Sequence, residues 1–144
     1  MKKMVLLNIF VFLLYFTSCN ETKKVTEVFE NIELSGKYTI TRINGKNITD
    51  RIPTIVFNSI DKSASGNGGC NGYFGNYTLA GNKLNFGIFT ATEMYCDEPI
   101  MDIERAFFKA LSETGFFKIE NNLLTLYSNT NRTVLLKANH DKKE

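Results

Sequence analysis

The amino-acid sequence predicts an α+β domain, mainly β, built as a curved antiparallel sheet or partial barrel of short strands with one amphipathic helix. Three observations carry this. Short runs of period-two alternation recur between turn residues, as where Tyr38 and Ile40 oppose Lys37, Thr39 and Thr41. A single stretch, after Asp97-Glu98-Pro99, switches to helical spacing. Between them Gly66 to Tyr77 packs five glycines around Cys70, yet its flanks, Ile55-Val56-Phe57 and Tyr77-Thr78-Leu79, are strand-like. That makes it a specified bend rather than a linker, with backbone at positive φ or in close approach to another segment.

The first strand, from Ser35, turns at Asn44-Gly45, a type I′ hairpin signal with a weak return leg. Pro53 sets the start of a strand over Thr54 to Asn58, and Asp61-Lys62 turns into a short strand that enters the bend. Tyr73 to Leu79 and Lys83 to Phe86 face each other across Ala80-Gly81-Asn82. Asp97 and Glu98 supply capping oxygens and charge for the helix start, and Pro99 sits where no donor is needed. The helix is expected to run to about Thr114, with Ile100, Ile103, Phe107, Ala110 and Leu111 as its apolar stripe. Asp102, Glu104, Arg105, Lys109 and Glu113 are expected to face water, and Gly115 to close the helix as a left-handed cap. Phe116 to Glu120 turns at Asn121-Asn122 into Leu123 to Tyr127, and Asn129 to Arg132 turns into Thr133 to Lys137. The tail from Asn139 is charged and expected to fray.

At 144 residues with 43% hydrophobic and 22% charged side chains, the chain suits one domain with a core. Met1-Lys2-Lys3-Met4 is a short positive segment, and Val5 to Phe16 is apolar except for Asn8. This is the signal-peptide pattern, since a run of about a dozen residues is short of the roughly 20 that span a bilayer. Thr17 and Ser18 directly before Cys19 resemble a bacterial lipobox, in which the cysteine becomes the lipidated first residue. The expected division is therefore 1–18 signal peptide, 19–33 lipidated Cys19 with a polar tether, 34–138 folded domain and 139–144 charged tail. Removing Lys2 and Lys3 with the signal leaves 15 basic residues (17 − 2) against 15 acidic ones. With no clustered Lys and Arg, nucleic acid is not an expected partner.

The mature chain keeps Cys70 and Cys96, and an even pair in an oxidising envelope compartment is most simply a disulfide. Closing that loop is worth about 3.5 kcal/mol in the chain-entropy model. A reactive thiol pair or a metal site is the weaker alternative, because no Cys-x-x-Cys is present and no second ligand type lies near either cysteine. Catalysis is not expected. The one histidine, His140, sits in the tail, where a Ser-His-Asp or Cys-His system could not be held. The glycines are followed by a strand and by no Lys-Ser or Lys-Thr, so they make no phosphate cradle. Asp97, Glu98, Asp102 and Glu104 lack the alternating loop spacing of a calcium site. No cofactor and no metal are expected.

The bend and the segments after it resemble the META domain of HslJ-like bacterial envelope proteins. The resemblance is carried by Gly69-Cys70-Asn71, Gly75-Asn76-Tyr77, Asn82-Lys83-Leu84, Thr90-Ala91-Thr92-Glu93-Met94-Tyr95-Cys96, Phe107-Phe108-Lys109-Ala110-Leu111 and Leu123-Leu124-Thr125-Leu126. With Leu34-Ser35-Gly36-Lys37-Tyr38 at the start it covers nearly all of 34–137. Where the family often has Trp this chain has Tyr38, and where it often has Arg and Ala it has Glu93 and Tyr95. The resemblance implies a compact α+β domain, often lipid-anchored, associated in some members with stress or antibiotic tolerance, and it brings no catalytic residues.

The functional expectation is a non-enzymatic, lipid-anchored envelope protein, at the outer membrane, that binds another envelope component and supports stress tolerance. The alternative is a carrier or sensor of a small apolar molecule in a barrel mouth. Aromatic residues cluster around the bend, and the outer-face ones with Asn71 and Asn76 are the expected binding patch: Asn71, Tyr73, Asn76 and Tyr95.

Overall fold

The computed structural model describes residues 33–141; Cys19, the signal segment and the tether lie outside the described residues. Among the described residues nine strands and one helix form in the order β1 (Gly36–Ile43), β2 (Lys46–Asn47), β3 (Thr54–Asn58), β4 (Ser63–Asn67), β5 (Gly72–Ala80), β6 (Lys83–Ala91), α1 (Glu98–Ser112), β7 (Thr114–Glu120), β8 (Leu123–Ser128) and β9 (Val134–His140). Each strand pairs antiparallel with its neighbours, and β9 returns to pair with β1. The expected curved sheet is thus a closed barrel, with two-residue β2 as an appendage on β1.

Both residues of the appended β2 are exposed, while alternation sends one face of the barrel strands inward. On β1 these are Tyr38, Ile40 and Ile43, and the step from two to three residues is absorbed by a bulge between Ile40 and Arg42 against β9. Ile55 and Phe57 on β3, Leu84 on β6, Leu124 and Leu126 on β8 and Leu136 on β9 meet them in one core. The hairpin turn has the expected form, with Asn44 at φ 47° and Gly45 at φ 80°. In the bend, Gly66 passes so near Thr54 that a Cβ there would overlap the Thr54 carbonyl oxygen.

Helix α1 lays Phe107, Ala110 and Leu111 on the core. Its ends differ from expectation. Asp97 makes no side-chain cap; its backbone carbonyl accepts the N–H groups of Ile100 and Met101 instead. The helix stops at Ser112, and Gly115 is a residue of β7 rather than a left-handed cap. Glycine is needed there because a Cβ would come within 2.5 Å of Asn129 Cβ on the facing turn. The connection is instead fastened by Thr114, whose hydroxyl donates to the Ala110 carbonyl at 2.7 Å. Glu104, expected on the wet face because of its charge, is buried.

Three boundaries also move. β6 continues to Ala91, well past Phe86. Residues 129–133 form a turn rather than a strand, and Arg132 lies over the Phe116 ring, 3.5 Å from its centroid. The described part of the segment expected to fray, residues 139–141, is tied in: Asn139 and His140 belong to β9, and the Asp141 carboxylate accepts from Thr39 at 2.7 Å and pairs with Lys37 at 3.2 Å.

Candidate functional site

The bend between β4 and β5, the segment between β6 and α1, and the first turns of α1 meet at one end of the barrel. Glu104 is the meeting point. Its Oε2 accepts the backbone N–H groups of Cys70 (3.1 Å) and Asn71 (2.6 Å), and its Oε1 accepts the Asn71 side-chain amide (2.8 Å). A buried carboxylate is tolerated when its oxygens are occupied by donors, and charge-assisted bonds to N–H groups do this strongly.

Asn71 extends the network outward. Its amide nitrogen also donates to the Met94 carbonyl at 3.1 Å, while its oxygen accepts the Met94 N–H at 2.8 Å and the Thr92 hydroxyl at 2.7 Å. The Thr92 N–H donates to the Gly72 carbonyl, and the Cys70–Cys96 disulfide closes the far side, with the two Cα atoms 6.0 Å apart. The expected pairing of these cysteines is therefore present. A short segment, Thr92 to Cys96, is fixed at both ends and in the middle.

What that segment displays is apolar and amphipathic. Met94 is 57% exposed and Tyr95 79% exposed, with the Tyr95 hydroxyl 3.5 Å from the Glu98 carboxylate. Met offers an adaptable, polarisable surface, and Tyr a large contact area with a polar tip. Holding both on a fixed backbone removes much of the ordering cost that binding would otherwise carry.

The four residues expected to form a patch separate into different roles. Asn71 is buried and acts as the fastener beneath the segment. Tyr73 is interior: its ring packs against Phe89, Phe107 and Phe108, and its hydroxyl donates to the Thr54 carbonyl at 2.9 Å. Burial pushes its phenol well above the ordinary tyrosine range. Asn76 is exposed on β5 opposite Ser63, away from the fastened segment. Tyr95 alone combines exposure with that support. Sequence reasoning misses Glu104 by weighing its charge above its position: 100, 104, 107 and 111 share one helical face, so the spacing places it with the core stripe.

Beside this end, a groove of about 490 Å³ runs between β6 and α1, lined by Gly87, Ile88, Phe89, Ala91, Phe108, Lys109 and Ser112. Among the described residues no three His, Cys, Asp or Glu side chains converge in a metal-binding arrangement, and every buried side-chain nitrogen or oxygen has a partner.

A closed antiparallel barrel packed against one helix, with this fastened segment at one end, defines a small, mainly β α+β domain. The family model described as the META domain matches residues 30–141, and the chain belongs to that family. Among solved structures, an NMR structure of a protein from Burkholderia xenovorans is 22% identical, covers 81% of this chain and 88% of its own, and superposes with a TM-score of 0.60. A second NMR structure is 23% identical over 75% of this chain and 91% of its own, at a TM-score of 0.59. A crystal structure of a DUF4847 family protein from Bacteroides vulgatus is 17% identical over 80% and 99%, at 0.58. At these identities they establish the fold alone. Comparison with curated proteins found no match.

Proposed function

We propose that this META-domain protein is a non-enzymatic binding module of the bacterial envelope, anchored by lipid at Cys19 on the outer membrane, and that it supports stress tolerance by binding another envelope component. The observation that carries the binding reading is the Thr92–Cys96 segment, which presents Met94 and Tyr95 on a backbone fixed by Asn71 and the disulfide. Exposed Met and Tyr on a rigid support are what a protein interface draws on. The anchor rests on the sequence motif before Cys19, and two or three acyl chains on that residue would give stable membrane retention.

The second reading, a carrier of a small apolar molecule, draws on the groove between β6 and α1 rather than on the barrel axis, which Phe57, Tyr77, Leu111 and Leu124 fill. In-cell crosslinking with mass spectrometry separates the two, using wild type, Cys19→Ala and Tyr95→Ala. A dominant protein partner that is lost in Cys19→Ala and weakened at least about tenfold in Tyr95→Ala is the expected result. A crosslinking pattern with no reproducible partner, and apolar material extracted from the purified protein, would replace binding of a component by carriage.

A further inference from the structure

The barrel wall has one seam. β5 and β6 are laddered from Tyr73–Ala91 down to Ala80–Lys83, but β6 and β7 share a single residue pair, Lys83 with Phe116. Beyond it, the side of β6 that faces away from β5 has no strand partner among the described residues. The Thr92 N–H points toward β5, where it meets the Gly72 carbonyl. Alternation along the strand then turns the backbone groups of Ala91 and Phe89 away from β5, into the groove beside α1. Natural sheets blunt or cover such edges, since exposed N–H and C=O groups at strand spacing are a template for another strand. Here the edge is left open and flanked by apolar surface: Ile88 is 94% exposed, Phe74 on neighbouring β5 is 52% exposed, and Phe89 and Phe108 line the groove.

We propose that the free edge of β6 from Gly87 to Ala91 binds a short extended peptide of another envelope protein, apolar at alternate positions and basic at one end. This rests on the binding reading above and names the chemistry of the partner. Backbone pairing supplies affinity in such strand addition, and side-chain hollows on alternate positions supply selectivity. The basic end follows from charge. The edge runs into Glu93 and Asp97, both exposed and without an ion-pair partner among the described residues, whereas nearby Glu98 is neutralised by Arg105 at 2.9 Å. A second copy of this chain fits less well. Five residues of edge are about 17 Å long and a sheet about 10 Å thick, so edge pairing covers far less than the roughly 800 Å² per partner of a stable dimer. Phe108, Lys109 and Ser112 of α1 also line the groove beside the edge, a wall that a second barrel would have to clear.

The test is residue-resolved hydrogen exchange on the full-length protein in detergent, with the acetylated, amidated peptide Lys-Val-Thr-Val-Thr-Val as probe. The peptide is expected to slow exchange at the Phe89 and Ala91 amides at least about fivefold, leaving Thr90 unchanged because its N–H already faces β5. Replacing the lysine of the probe by glutamate should weaken binding at least about threefold. Ala91→Pro removes an outward donor without touching the β5 ladder and should abolish the protection. Ile88→Lys, at a side chain with nothing to lose in the fold, should weaken it if the proline variant fails to fold. Slow exchange at Phe89 and Ala91 without peptide at every protein concentration would mean the edge is already covered and would overturn the proposal. So would protection that grows with protein concentration alone, which assigns the edge to a second copy, or no protection by the peptide. In that last case a partner still crosslinked in a Tyr95-dependent way would leave the binding reading standing.

Discussion

The two sides of this barrel are fastened by different physics. From β7 through β8 and β9 to β1 each strand is laddered to the next over five or more residue pairs with a single bulge in each ladder, and the side chains beneath them, Leu124, Leu126, Leu136 and Ile40, are apolar and wholly enclosed. From the β4–β5 bend to α1 the chain is instead held by polar side chains and one covalent bond: Glu104 on Cys70 and Asn71, Asn71 on Thr92 and Met94, and Cys70 on Cys96. The ladder side owes its stability to removal of apolar area from water, which tolerates small shifts. The polar side owes it to an interlocked set of donors and acceptors in which every buried group has a partner, which fixes position more sharply and fails more abruptly. Placing the exposed Met94 and Tyr95 on the second kind of support gives them definite coordinates.

Two substitutions sharpen this contrast. Leu124→Ala empties the closed wall and should cost about 4 kcal/mol in urea unfolding, from lost transfer energy and the residual cavity. It should leave the Thr92–Cys96 segment as ordered as before in the folded protein. Glu104→Ala should cost about 3 kcal/mol, because two backbone N–H groups and the Asn71 amide lose their acceptor inside the protein. Its signature is local: amide exchange at Cys70, Asn71 and Met94 should accelerate while β8 stays protected.

The contrast also explains what can be read in advance. Binary alternation reveals β1, β3, β5 and β8, and the helical stripe reveals α1, because apolar burial leaves a periodic mark. The Asn44-Gly45 turn is legible for the same reason of local necessity. Closure of the barrel is not, since pairing of β1 with β9 joins residues such as Tyr38 and His140 that no local pattern connects. Nor is the end of the helix: Gly115 serves a contact with Asn129 rather than a cap, and a lone glycine after a helix carries both meanings. Of the candidate site, the disulfide and exposed Tyr95 are within reach of composition. The burial of Glu104 and Tyr73 is not, because Glu104 is accepted into the interior only by donors more than thirty residues away in the chain.

The saturation of Asn71 has a consequence for how the molecule ages. Asn71 precedes Gly72, and Asn44 precedes Gly45, and asparagine followed by glycine is the pair most prone to cyclise to a succinimide and lose its amide as ammonia. Cyclisation requires the asparagine side-chain carbonyl to swing onto the next backbone nitrogen. At Asn71 that motion would break bonds to Glu104, Met94 and Thr92 together, whereas Asn44 is exposed at a hairpin tip. Peptide mapping of stored protein should find aspartate and isoaspartate accumulating at position 44 at least about tenfold faster than at position 71. The same contacts that hold the display segment in place also preserve, over the protein's lifetime, the one amide on which they depend.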